Sequence, residues 1–165
     1  MSAAAIRVAT VITQLSGGAG VMAVRGARGV VGLTSITGTI ITGPGADRRL
    51  VAEAERAGLA VIVEPALCRP ITPATDAVAV RRLTRLLAGF DVVHTHCAKA
   101  GVVARLAARR AGVPRVVHTY HGFPFHRFQS PARRAAYVWA ERLLGRWCTD
   151  VALAVGAGVA AEAIR

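Results

Sequence analysis

The stretch DVVHTHCAKAGVVARLAARRAGVPRVVHTYHG, residues 91–122, decides how the rest of the chain is read. Its two ends are short β-branched runs, Asp91–Thr95 and Arg115–Thr119, with no polar alternation. Runs of that kind suit parallel strands buried on both faces. Between them Lys99 to Ala111 follows a helical period. Val102, Val103, Leu106 and Ala107 point inward on this reading, and Arg105 and Arg109 outward. Gly112-Val-Pro114 ends the helix, so the unit is strand, helix, strand. Both strands begin V-V-H-T, an echo that two adjacent buried strands produce without any duplication.

Moving outward, the same alternation recurs. Further buried runs lie at Arg7–Thr13, about Ser35–Thr42, Ala60–Glu64 and Asp150–Val155. Asp47 can cap a helix through Ala57, with Gly58 as its stop. Thr72-Pro73 opens another, with Val80, Leu83 and Leu87 on one face and Arg81, Arg82 and Arg85 on the other. Ser130-Pro131 starts a helix that reaches about Trp147. Six strands separated by helices predict one α/β domain over residues 1–165. The expected form is a Rossmann-like, doubly wound parallel sheet of order about 3-2-1-4-5-6, with helices on both faces. Ligands then bind beyond the carboxyl ends of the strands, beside the switch between the first and fourth. That rule draws together three loops: Leu15–Gly20, His96–Gly101 and Tyr120–Gln129. The chain stops at AGVAAEAIR, in the first turns of a further helix, as though truncated.

Composition narrows the classes. Hydrophobic residues make up 53% and charged ones 18% of the 165, which excludes a disordered chain. The net charge is +12, and Lys99 is the only lysine among 21 basic residues. Three cysteines without C-x-x-C spacing fit reduced thiols in a cytoplasm rather than a disulfide framework or structural zinc. The start turns polar at Gln14 and Ser16, so a cleaved signal peptide is not expected. The uncharged stretch 29–46 reads as loop plus buried strand, because its glycines and hydroxyl residues make it weakly apolar.

Chemistry concentrates near the quoted unit. Four of the eight aromatic residues and three of the five histidines fall in residues 116–129. From Val92 to Ala140 there is no Asp or Glu, which argues against a two-carboxylate glycosidase. Such a segment can receive an anion, phosphate being the usual one, and Lys99 directly after the fourth strand is expected to face the crevice. S-G-G-A-G, with Gly17 and Gly18, joins the first strand to the first helix and lets backbone approach a phosphate closely. The dinucleotide spacing G-x-G-x-x-G is absent, as is a Walker A loop. His94 and His118 lie within strands as interior residues. His96 and His121 come at strand ends, and Gly122 permits a sharp turn that holds the His121 imidazole outward. A histidine there can donate a hydrogen bond to a hydroxyl or exchange a proton near neutrality. His94-x-His96 has metal-like spacing but lacks the carboxylates that such hydrolases need, so no metal is assigned.

The blocks D-V-V-H-T-H-C-A-K-A-G, G-V-P-R-V-V-H-T-Y-H-G-F-P-F-H, Q-S-P-A-R-R-A-A-Y and T-D-V-A-L-A-V-G-A-G-V-A-A-E-A-I resemble the amino-terminal half of family 4 glycosyltransferases. These are the group 1, GT-B, retaining enzymes. The opening R-V-A-T-V-I-T-Q-L-S-G-G-A-G and the T-G-P-G after the second strand fit as well. The resemblance implies the acceptor-binding half of an enzyme that moves a sugar from a nucleotide-sugar donor to a glycan or lipid-linked acceptor, without a cofactor. It assigns His121 to the transferring sugar and Gly17-Gly18 to the donor diphosphate. It gives the acceptor side to the loops holding His96, Lys99, Gly122, Phe123, Phe125 and His126. The leaving diphosphate helps take the acceptor proton in such enzymes, which fits a crevice without carboxylates. The donor-binding domain and its paired glutamates are missing, so the lone chain is expected to be inactive, or to need a partner chain carrying that half. The resemblance places it in the cytoplasm, peripheral at the inner membrane face, with no nucleic acid bound. The alternative is a non-catalytic module for anionic lipid or nucleic acid, on charge alone.

Overall fold

The computed structural model describes residues 5–33, 35–123 and 130–164. Six parallel strands form one sheet of order β3-β2-β1-β4-β5-β6. They are β1 Ile6–Ile12, β2 Ile36–Thr42, β3 Ala60–Val63, β4 Val92–His96, β5 Arg115–Tyr120 and β6 Val151–Ala154. Between and after them run α1 Gly17–Val31, α2 Arg48–Arg56, α3 Pro73–Leu87, α4 Ala98–Arg110, α5 Pro131–Cys148 and α6 Ala157–Ile164. The expected α/β order holds, and the stretch 29–46 contains β2, as read. No described helix is long and apolar enough to cross a membrane.

Strand alternation divides the core. Ala9, Val11, Val93 and Val116 pack with Ala79, Leu83 and Leu87 of α3 and Val103, Ala104 and Ala107 of α4. Ile12 and Ile40, one residue out of phase, pack with Ala23 and Val24 of α1 and Leu50 and Ala54 of α2. The helix capped by Asp47 forms as its sequence directs: the Asp47 carboxylate accepts from Arg49 N–H at 2.8 Å.

The α4 pattern is corrected in one respect. Arg105 is fully buried, while Leu106 is 39% exposed. Alanines line so much of α4 that its own sequence marks no single inward stripe. The choice is made by α5, which packs alongside and brings Glu141 within 2.7 Å of Arg105 Nη2.

The V-V-H-T echo is resolved by register. His94 lies beside Val117, and Thr95 beside His118, so the two motifs are one residue out of step. A one-residue slip exchanges faces. His94 and His96, alternating with Val93, therefore point away from α4. His118, in phase with Val116, points toward it.

Candidate functional site

The site is built on the carboxyl ends of β1, β4 and β5. Ile12 at the end of β1 lies beside His96 at the end of β4. The Thr13 hydroxyl accepts from Ala100 N–H at 3.0 Å and so caps the start of α4 from the neighbouring strand. Between them Cys97 holds φ 64° and ψ 164°, a backbone region that residues other than glycine rarely enter. Such strain persists only where surrounding contacts over-determine it, and here Thr13 and the β1–β4 pairing do so. Burial raises the Cys97 thiol above its ordinary value, which leaves it protonated and unreactive.

The histidines divide into two environments. On the α4 side, His118 Nδ1 meets Thr95 Oγ1 at 2.8 Å, and the ring lies over Gly101. A Cβ at Gly101 would come 2.5 Å from His118 Cε1, so only glycine lets helix and ring approach this closely. On the other side, His94 Nε2 meets Thr119 Oγ1 at 2.7 Å. His96 Nδ1 meets His121 Nε2 at 2.9 Å. The His94 and His96 rings stand 4.2 Å apart. Gly122, directly after His121, holds φ +142°, a backbone region that favours glycine.

These imidazoles are neutral. Burial, reinforced by the neighbouring imidazoles, lowers His96 to about 2. Burial and then His121 lower His94 to about 4. Burial and then the Arg105 guanidinium lower His118 to about 3. Burial also lowers His121, the most open of the four. Desolvation penalises the imidazolium, and like charges so close would repel.

Lys99 is placed differently from its sequence reading. Its ammonium lies 2.7 Å from Asp76 Oδ1 of α3 and also donates to the Pro70 carbonyl. These contacts sit in a cleft of about 440 Å³ between α3, α4 and α5, walled by Ile71, Val102, Ala136 and Tyr137, with no histidine among its described lining residues. The acid-free run from Val92 to Ala140 is thus not acid-free in space: Asp76 answers Lys99, and Glu141 answers Arg105. Arg105 also donates to the Gly101 carbonyl at 2.8 Å. Tyr120 donates to Glu141 at 3.2 Å, and burial, then the Glu141 charge, raise its phenol above the usual value. Tyr120, Arg105 and Glu141 form a network that sequence reading missed. Its one signal was an arginine spaced four from Gly101 on an alanine-rich helix.

Gly17 and Gly18 open α1 after β1, with Gly17 at φ +59°, and a Cβ on either would meet nothing within 4 Å. Phe123 stacks on Tyr120 at 5.0 Å. Phe125 and His126 lie outside the described residues. Among the described residues no three His, Cys, Asp or Glu side chains are grouped to hold a metal.

A family model described as "Glycosyl transferase 4-like domain" matches residues 7–165. A UDP-Gal:alpha-D-GlcNAc-diphosphoundecaprenol alpha-1,3-galactosyltransferase of Escherichia coli is 44% identical over 79 residues, 47% of this chain and 20% of that protein. A glycosyltransferase structure from Rickettsia africae ESF-5 superposes with a TM-score of 0.67 at 18% identity, over 98% of this chain and 39% of that one. A putative UDP-N-acetylglucosamine 2-epimerase from Listeria monocytogenes gives 0.65 at 15%, over 98% and 41%. The chain thus spans a fifth of the curated relative and about two fifths of these structures. A glycosyltransferase and a putative epimerase share the fold, so the fold alone does not choose between those chemistries.

Proposed function

The chain belongs to the glycosyl transferase 4-like family, and from that premise we propose that it is the acceptor-side half of a retaining sugar transferase. The observation that carries this reading is the neutral His96–His121 pair at the ends of β4 and β5, beside the switch point. His96 Nε2 is buried with no partner among the described residues. An orphaned N–H is costlier than an orphaned lone pair. His96 therefore carries its proton on Nδ1 and donates to His121 Nε2, leaving His121 with Nδ1–H as a hydrogen-bond donor. A neutral donor suits a sugar hydroxyl and does not compete for the acceptor's proton. His96 is a positioning residue in this scheme, and His121 is the one that touches sugar.

Gly17 and Gly18 leave backbone room for the donor diphosphate at the start of α1, and Gly122 and Phe123 edge the acceptor side. Phe125 and His126 are proposed for the same edge. Lys99 acts from the α3–α4 cleft, through its ion pair with Asp76. The acceptor is lipid-linked, as in the relative's name, which places the work at the inner face of a membrane. Turnover needs a donor-binding half, on this polypeptide or on a second chain. The anion-binding alternative rests on charge alone, and Arg82, Lys99, Arg105, Arg109 and Arg115 already face carboxylates.

The test compares the 165-residue chain alone with a fusion to the relative's donor domain. UDP-galactose is the donor and undecaprenyl-diphosphate-linked GlcNAc the acceptor. Transfer is expected only from the fusion, and His121→Ala should lower kcat by roughly 100-fold, the scale of losing one positioned donor. Transfer by the lone chain overturns the need for a second half. Full turnover in the fusion after His121→Ala overturns the assigned site. Nitrogen-15 shifts of the His121 ring should report the Nδ1–H tautomer in the wild type and in His96→Asn, which keeps a donor, but not in His96→Leu.

A further inference from the structure

The residues on either side of the His121-Gly122 pair touch each other. Tyr120 and Phe123 stack, with ring centroids 5.0 Å apart and planes inclined by 30°. Side chains three positions apart on an extended strand point to opposite faces. Stacking therefore requires the chain at His121-Gly122 to leave the strand path, and Gly122 at φ +142° does so. Tyr120 is in phase with His118 on the α4 side of the sheet and meets its ring edge-on at 4.4 Å. His121, the next residue, meets His96 on the opposite face. One residue of β5 thus looks into the scaffold while its neighbour looks into the proposed site.

Tyr120 is held from two further elements. Its hydroxyl donates to Glu141 of α5 at 3.2 Å, and its carbonyl accepts from Val155 N–H, just after β6, at 3.2 Å. Glu141 is itself fixed by Arg105 Nη2 at 2.7 Å. The guanidinium does not depend on Tyr120, because the Gly101 carbonyl, the Thr149 hydroxyl and Glu141 already accept from it. The hydroxyl bond therefore serves the tyrosine rather than the arginine. A hydrogen bond to a carboxylate is stronger than one between neutral groups. A stacked aromatic pair adds attraction beyond the area it buries. Phenylalanine at this position would keep the stack and lose the anchor, and leucine would lose both.

We propose that Tyr120 is a positioning residue for His121: its hydroxyl is tied to α5 and its ring is stacked on Phe123, so that the His121 imidazole stays beside His96. The inference rests on the proposed function for what His121 does, and on the contacts of Tyr120 for how it is held. The Arg105–Glu141 pair becomes the fixed point from which the start of the acceptor-side loop is hung.

The experiment begins with NMR on the 165-residue chain, so its outcome does not depend on sugar transfer. The His96 and His121 ring centroids are 5.2 Å apart, close enough for a nuclear Overhauser contact between the rings. That contact is expected in the wild type, reduced in Tyr120→Phe and lost in Tyr120→Leu. The contact between His94 and Thr119 should persist in all three and so report an intact sheet. If Tyr120→Leu loses that one as well, it has unfolded and Tyr120→Phe decides alone. In the donor-domain fusion, Tyr120→Phe should lower kcat about tenfold with both KM values held, the pattern of a misplaced group rather than of lost binding. A His96–His121 contact at full strength in both variants overturns the proposal. Loss in Tyr120→Leu alone overturns the role of the hydroxyl. A wild-type chain without the contact overturns the proposed site together with its positioning. The expected contacts in a fusion that transfers no sugar overturn the proposed function and leave the positioning standing.

Discussion

Two polar clusters hang on the same strand–helix units and follow opposite rules. Around Arg105 the guanidinium faces Glu141, the Gly101 carbonyl and Thr149, and Tyr120 completes the carboxylate. Around His96 the groups are neutral, and one ring nitrogen has no partner among the described residues. A satisfied buried network rigidifies, whereas an unsatisfied buried atom asks for a partner. The first cluster reads as structure and the second is the proposed site.

The largest expected effect separates the two by pH. The unfolded chain's imidazoles take up protons near pH 6.5, while His94, His118 and His96 resist down to about 4, 3 and 2. Stability present above pH 6.5 is therefore lost as the pH falls through that window. The slope approaches about 1.4 kcal/mol per pH unit for each histidine kept neutral. Urea unfolding at pH 7 and pH 5 checks this. An unchanged midpoint breaks the contrast.

Next comes Glu141→Ala, which strands a buried guanidinium and should cost about 3 kcal/mol by the same unfolding measurement. Replacing both partners, as Arg105→Met with Glu141→Leu, should recover most of that loss. A single replacement as mild as the double would show that the network is not buried in solution. The smallest expected effect is Gly101→Ala, about 1–3 kcal/mol from overpacking. The added methyl pushes His118 off Thr95, and combining it with His118→Ser should relieve the strain. A stabilising Gly101→Ala would mean that the ring and helix are not in contact.

Much of this was legible in one dimension. Strand and helix boundaries fell within one or two residues of the observed ones, and the sheet order followed from short connections and handedness. Asp47 capped its helix as read. Gly122 holds a positive φ directly after His121. The misreadings share a cause. Arg105 was placed outward and Leu106 inward because the carboxylate that reverses them sits on α5. Lys99 was aimed at the crevice because Asp76, its partner, sits on α3. A window along the chain sees sequence neighbours, and these neighbours arrive only when helices pack.

The alternation of β-branched runs with amphipathic helices was enough to specify a parallel α/β sheet, since hydrophobic period and connection length are local properties. The T-x-H-G and H-T-H blocks were likewise enough to place histidines at strand ends. Only the folded molecule decided that the two V-V-H-T motifs lie one residue out of step, because register depends on which side chains fill the layer above and below. That single offset sends His118 toward α4 and joins His96 to His121 on the other face, and so separates scaffold from the proposed site.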